Sequence, residues 1–352
     1  MINREYATAI KHLMPDRDRD EELDKPVSLW KELDRIRGYP EQTTVVIFKT
    51  KGCSWFNFSS CSMCGYFNDV SSKIEPENLY RQIDLMASSL SDSKVLKVFT
   101  SGSFLDPREV PLEVRDYFYE SIEGKIEKAL VESRTEYITE KNLQKIGDYK
   151  VPTRVAIGLE SANDYIMKYS VNKGSTFSKF KESAEVLKKL KLELRTYLLF
   201  KPPFISEREA VEDALYSINA VAHFSDDVSV NPMNIQKNTM VEKLWKAGLY
   251  RPPRLWSLAE VLLRSKGCGT SVVSYPTGGD KLRGVHNEER DRTLLNLIFE
   301  SSLSQDFSPL EEYYSRGSRE SFDRRLDSED VLIFQSDYNR LVTRISSSCS
   351  YL

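Results

Sequence analysis

Several things are scarce in this chain, and each scarcity narrows what it can be. No apolar run approaches the roughly 18 residues that would suggest a membrane span, so no membrane partner is expected. Positive charge is not in excess: 50 Lys and Arg face 53 Asp and Glu among 352 residues, a formal net of -3. A protein that grips nucleic acid through a broad basic face carries excess positive charge, so any such contact here must use a local patch or a partner subunit. Histidine is limited to His12, His223 and His286. Cysteine is limited to five residues, an odd number, which argues against a disulfide framework and for reduced, cytosolic thiols. The first 24 residues hold no apolar stretch of the kind a secretion signal needs, so a cytoplasmic location is expected. Internal repeats and low-complexity segments are missing too. What is present is 40% apolar and 11% aromatic residues, enough for a sizeable core and too much for a disordered, collagen-like or coiled-coil chain.

Short β-branched or apolar runs recur at 43–49 (TTVVIFK), 94–100 (KVLKVFT), 128–133 (KALVES), 154–160 (RVAIGLE), 194–200 (LRTYLLF) and 227–231 (DVSVN). Stretches of helical period lie between most of them, as at 76–90, 178–191 and 206–222, the last opening on the capping-box pair Ser206 and Glu209. Strand then helix, repeated six times, predicts parallel strands joined by right-handed crossovers. Polar and special residues follow strand after strand, which points to a barrel whose carboxyl-end loops build the site. The expected fold class is therefore α/β, a partial or full (βα) TIM-type barrel over 43–287. An N-terminal extension with one or two short helices is expected over 1–42 and a helical C-terminal segment over 288–352. A seventh strand is expected near 271–275, followed by a loop at 276–284.

Three of the five cysteines, Cys53, Cys61 and Cys64, fall within twelve residues just past the first run, in a C-x7-C-x2-C arrangement. Three thiolates on one Gly/Ser/Asn-rich loop can converge on a metal. Structural zinc wants four ligands and no fourth Cys or His is near; Cys268 is more than 200 residues away. An iron–sulfur cube normally takes four cysteines. With three, one iron stays open to a substrate or cofactor, which is a catalytic arrangement. Cys268 and Cys349 are expected to be structural thiols.

This pattern resembles the radical S-adenosylmethionine (SAM) superfamily, in which three cysteines after the first barrel strand bind a [4Fe-4S] cluster whose fourth iron chelates SAM. The usual spacing is C-x3-C-x2-C; the longer first gap here is similar to that of the Elongator-like subgroup. The resemblance implies a SAM site formed by Tyr66, the turn Ser101-Gly102-Ser103, Glu132 and Arg134 in an Elongator-like Glu-x-Arg pattern, Glu160, and Arg195. Met63 stands where an aromatic residue is usual, which leaves Tyr66 or Phe67, or mostly backbone, for the adenine.

Three longer stretches, 155–177, 196–214 and 230–253, narrow the resemblance to the radical-SAM subunit family of archaeosine synthase. That family implies a tRNA substrate whose D-loop carries 7-deazaguanine with an attached lysine, cleavage of the lysine Cε–N bond, and archaeosine as product. It also implies a lysine-transferring archaeosine synthase subunit as partner and an electron donor such as a ferredoxin or flavodoxin. Candidate substrate contacts are Lys173, Lys201, Asn231 and Asn234. Residues 237–266 are the expected tRNA-facing stretch: they hold Lys237, Lys243, Lys246, Arg251, Arg254, Arg264 and Lys266, with Trp245, Tyr250 and Trp256 between, and Lys243, Lys246, Arg251 and Arg254 are its candidate contacts. Two rival readings are another radical SAM tRNA-modifying enzyme, and a zinc-binding RNA adaptor using Cys53, Cys61, Cys64 and Cys268.

Overall fold

Every run expected to be a strand is one, and they pair in sequence order. The computed structural model describes residues 22–317 continuously, together with Thr8, His12, Phe322, Thr343, Arg344, Ser346 and Ser347. Its single sheet has eight strands in the order β1 to β8: Ser28–Asp34, Glu41–Ile47, Val95–Phe99, Lys128–Ser133, Thr153–Glu160, Glu193–Phe200, Asp227–Pro232 and Ser271–Val273. β2 to β8 are parallel, each to the next, and β1 pairs antiparallel with β2. Among the described residues β1 and β8 are the edges and do not pair with each other, so the sheet is a curled partial barrel rather than a closed one.

One expectation is corrected here. Residues 28–34 lie in the supposed helical extension, yet they form strand β1. Within the expected C-terminal segment, helices run over Arg292–Ser304 and Ser308–Arg316. Cys349 lies outside the described residues.

The strands alternate between two environments. Outward side chains such as Val98, Val131, Ile157, Leu198 and Val230 are buried under the helices in the main core. Inward side chains form a smaller apolar group of Val95, Leu130 and Ala156 with Phe99 and Tyr197 against it, mixed with charged residues. The helices that cover the outside include Pro76–Ser88, Leu112–Ile122, Phe177–Lys189, Glu207–Val221 and Leu255–Arg264. Among the described residues no helix is long and apolar enough to cross a membrane.

At the amino ends of the parallel strands the barrel is plugged by ion pairs. Arg195 donates to Asp227 through Nε and Nη2, both at 2.7 Å, and to Asp34 through Nη1 and Nη2 at 3.0 and 3.1 Å. Lys97 bonds Asp34 at 2.8 Å and Glu32 at 2.6 Å. Arg154 joins Asp227 at 2.5 Å and also pairs with Glu193. The cysteine loop lies at the opposite, carboxyl ends of the strands.

Candidate metal centre

The cysteine loop leaves β2 through Gly52, whose φ of +84° is a left-handed conformation that glycine adopts readily. A Cβ there would also lie 2.7 Å from a Val70 methyl. Cys53 then starts the short helix Ser54–Phe58, and Cys61 and Cys64 follow on the return. All three thiols are half-buried and free of disulfides.

The loop is clasped by residues 166–174. Ser62 N donates to Val171 O at 2.9 Å and Ser62 Oγ to Ser170 O at 2.8 Å. Asn172 is held in the left-handed region at φ 57° and donates to Ser59 Oγ and to Ser60 O. Trp55 Nε1 donates to Asn172 O at 2.9 Å, and Gly174 leaves room for its ring. On the other side, Asn68 donates to Lys237 O at 2.9 Å, and Gly65 packs on Gln236. Met63 packs into a small core with Met233, Ile235 and Val241.

The expected SAM residues divide. Ser101, Gly102 and Ser103 lie against the cysteine loop: a Cβ on Gly102 would come within 2.6 Å of Cys53 Cα. Ser101 Oγ donates to Tyr66 O at 3.3 Å, and Ser103 Oγ accepts from Arg134 N at 2.9 Å. Arg134 Nη1 lies 3.4 Å from Cys53 Sγ, and its guanidinium stands over the Trp55 ring and pairs with Glu136. Glu160, at φ 71° on the end of β5, pairs with Lys173 at 2.6 Å, and Gly158 leaves space for that pair. Burial opposes the charge on Lys173, but Glu160 and Cys61 raise its pKa overall. Burial pushes the Glu132 carboxyl up to about 8, so it is largely protonated at neutral pH.

Arg195 does not join them. It is the third residue of an eight-residue strand, five residues short of the carboxyl end, or roughly 16 Å at the rise of a strand. It is 1% exposed and both its partners are buried aspartates. The expected contact with SAM is replaced by the ionic plug.

The substrate candidates also divide. Lys173 faces the cysteines. Asn231, on the inward face of β7, accepts a hydrogen bond from Ser229 Oγ at 3.0 Å, and Asn234 lies beside Gly278. Lys201 is buried against Glu207 Oε2 at 2.6 Å and lies over the Tyr250 ring, so it supports the loop rather than facing the opening. Among the cations expected to face tRNA, Lys243 and Lys246 are exposed, Arg251 is partly covered and donates to His286 O, and Arg254 is buried between Glu207 and Glu288. Arg254 is thus no surface cation.

Sequence reasoning missed Glu109 and Asn172. Glu109 is 1% exposed and accepts from Thr50 Oγ1 and Ser103 N, both at 2.6 Å, tying the 101–103 turn to the cysteine loop. Its only sequence signal is an acid soon after a Ser-Gly-Ser turn, which is weak.

Does this donor set suit one metal ion or a larger cluster? A tetrahedral zinc with bonds of 2.3 Å draws its sulfurs to roughly 3.8 Å from one another. Among the described residues, no three His, Cys, Asp or Glu side chains are gathered to hold one ion. Yet the thiols sense each other. Burial first, then Cys64 and Cys53, push Cys61 up despite Lys173; burial pushes Cys64 up to about 12, with Cys53 adding to the rise. Three disulfide-free thiols on one clasped loop, in surroundings hostile to bare thiolates, fit an iron–sulfur cube whose positive irons make thiolate favourable. Cys268 precedes β8 at the amino end of the strands and packs against the main core, so it cannot complete a four-thiol zinc site with this loop.

Comparison with known proteins agrees. Residues 47–215 match the family model described as the Radical SAM superfamily. The chain is 39% identical to archaeosine synthase subunit beta of Methanosarcina acetivorans over 75% of this chain and 79% of that protein. It is 35% identical to archaeosine synthase subunit beta of Thermococcus kodakarensis over 81% and 92%. Among solved structures, it is similar to the Methanocaldococcus infernus Elp3, with 14% identity, a TM-score of 0.49, and coverage of 74% of this chain and 63% of that one.

Proposed function

The chain belongs to the radical SAM superfamily, together with the archaeosine synthase beta subunits, and from that premise we propose that it is the radical subunit of an archaeosine synthase. Its reaction is then cleavage of the lysine Cε–N bond on lysine-modified 7-deazaguanine in the tRNA D-loop, leaving the formamidine of archaeosine. The observation that carries this reading is the meeting of three thiols with the 155–177 stretch, whose Lys173, Asn172 and Gly174 build the wall of the cysteine loop.

Cys53, Cys61 and Cys64 would hold a [4Fe-4S] cluster. When bound, cluster and SAM together supply a 5′-deoxyadenosyl radical, able to take hydrogen from an unactivated carbon, which no side-chain base can do. The protein's part is position and exclusion of water. Arg134 directs a guanidinium N–H toward Cys53 Sγ and so screens one thiolate. The 101–103 turn, with no side chain at Gly102, lets the backbone come close to Cys53. Protonated Glu132 offers a hydrogen-bond donor in the lumen, and the Glu160–Lys173 pair offers one group of each sign to SAM or the lysine arm. Tyr66, half-exposed near the cysteine loop, would serve the adenine, and Asn231 and Asn234 would contact the substrate. A lysine-transferring partner subunit and a ferredoxin- or flavodoxin-like donor complete the system.

The test is anaerobic: reconstituted protein, SAM, reductant and tRNA bearing the lysine-modified base, with mass spectrometry of the nucleosides. Archaeosine, methionine and 5′-deoxyadenosine are expected, with deuterium from the lysine Cε found in 5′-deoxyadenosine. Cys61→Ala should lose iron and activity, and Cys268→Ala should keep both. Archaeosine formed without SAM consumption, or iron that leaves with Cys268 and stays without Cys61, refutes the reading.

A further inference from the structure

The seven Lys and Arg of 237–266 fall into two groups. Lys246 and Arg251 have acid partners, Glu242 at 3.5 Å and Glu288 at 4.0 Å. Arg254, Arg264 and Lys266 are neutralised: Arg254 by Glu207 and Glu288, Arg264 by Glu212 and Glu260, Lys266 by Glu311. Lys237 and Lys243 are exposed and, among the described residues, make no ion pair. This second group adjoins the cysteine loop, because Asn68 donates to Lys237 O and Asn238 donates to Asn68 Oδ1 at 2.8 Å.

The 276–284 loop completes the same rim. It leaves the carboxyl end of β8 and docks on the segment after β7: Ile235 N donates to Arg283 O at 2.7 Å, and Arg283 Nε donates to Ile235 O at 2.9 Å. The Arg283 guanidinium lies 5.1 Å from the Trp245 ring centroid and bonds Glu242 at 2.7 Å. These contacts fix the base of the loop and leave its tip outside. Lys281 is exposed, and Leu282 is 72% exposed, the most exposed large apolar side chain after Phe58. A leucine held in water forgoes the burial it ordinarily gains. Set beside the exposed Lys281 at the carboxyl end of the strands, it has the chemistry of an apolar wedge next to a phosphate contact.

We propose that this rim, formed by Lys237, Lys243, Trp245, Lys281, Leu282 and Arg283, is the RNA-contact surface, with Leu282 filling the stack from which the reacting base is withdrawn. The proposal rests on the tRNA reading above and adds to it where and how the RNA is held. Enzymes that do chemistry on a base must take it out of its stack, and on the tRNA reading the same holds for a base brought to the cysteine loop beside this rim. The surplus cations of the rim supply local attraction that the net charge of -3 does not. Trp245, already stacked on Arg283, offers a ring beside the same path.

The experiment uses full-length reconstituted protein and a tRNA carrying 2-aminopurine next to the modified position. Lys243→Ala and Lys281→Ala should each reduce the slope of log affinity against log salt by about one. Leu282→Ala should keep most of the affinity but lose the rise in 2-aminopurine fluorescence on binding. Lys189→Ala, on the outer surface and paired with Glu140, should change neither. Unchanged slopes and fluorescence in every rim variant of a protein that still converts tRNA overturn the rim and leave the tRNA reading standing. Wild-type protein that neither binds nor converts tRNA overturns both. Rim variants that bind tRNA normally and lose the partner subunit make this a protein interface and overturn the RNA assignment.

Discussion

Replacing Arg195 with Met tests whether the lower barrel is structural. The guanidinium makes four hydrogen bonds, at 2.7, 3.0, 3.1 and 2.7 Å, to two aspartates that are 0% and 3% exposed. Breaking a buried ion pair by removing one partner costs about 3–5 kcal/mol. The lower figure applies, because Lys97 still serves Asp34 and Arg154 still serves Asp227. About 3 kcal/mol is a large part of the roughly 5–15 kcal/mol that holds a domain folded. The loss should depend on pH. Burial raises the Asp34 pKa, but Arg195 and Lys97 overcome it and hold the carboxyl far below its ordinary 3.8. A depressed acid stabilises the fold above its unfolded value, and that stabilisation is lost as pH falls through its folded value. Arg195→Met removes much of this contribution, so the gap between variant and wild type should be full at pH 7 and should narrow below about pH 4. Urea denaturation across pH measures it, and equilibrium dialysis measures SAM binding by the folded variant. An unchanged urea midpoint combined with SAM affinity weakened tenfold or more would put Arg195 back in the cofactor site and refute the reasoning.

Two other substitutions check other parts of the structure. Gly102→Ala places a methyl 2.5 Å from Glu109 Oε2 and 2.6 Å from Cys53 Cα; overpacking of this kind costs about 1–3 kcal/mol, here at the cysteine loop. Iron content after reconstitution should fall well below wild type while the far-ultraviolet circular dichroism is kept, and full iron loading would show that the close approach is unnecessary. Asp213 is buried, and burial raises its pKa from 3.8 to about 7 despite a hydrogen bond from Ser161 Oγ. A raised acid stabilises below its unfolded value and loses that as pH rises through the folded one, so Asp213→Asn should be near neutral at pH 4 and stabilising at pH 8, by up to about 4 kcal/mol. A thermal shift that does not grow between those pH values would refute it.

The parts legible in the sequence are those where one environment dominates. Strands β2 to β8 stand out because their outward residues meet helices and are apolar, as Val98 and Val230 are. Strand β1 gave no such signal. Its Trp30 and Leu33 are 37% and 43% exposed, and its one fully buried residue is charged Asp34, so pairing, an ion pair and the partly buried Leu29 hold it rather than a continuous apolar face. The cysteine loop was legible because thiols are rare and three occur together. Depth along a strand was not. Arg195 and Glu132 both read as polar residues on strands, yet one lies near the start of β6 and the other near the end of β4, and only the second reaches the cysteine end. Burial by distant acids was equally hidden: Arg254 reads as a surface cation until Glu207, 47 residues earlier, covers it.

The ionic plug also bears on why the barrel can stay open. The edges β1 and β8 share no hydrogen-bonded ladder, so backbone pairing does not join the two sides of the sheet. Asp34 ends β1, Asp227 begins β7 beside the other edge, and Arg195 bonds both, so one side chain spans the gap that a closing strand pair would fill. Such a tie acts only at the amino ends. The carboxyl ends are free to stay apart, held instead by the clasp of Asn172 on the cysteine loop and of Arg283 on Ile235. A fully closed barrel would have filled that space with side chains. Splitting the two tasks between the strand ends keeps the ionic plug away from the end that carries the cysteines.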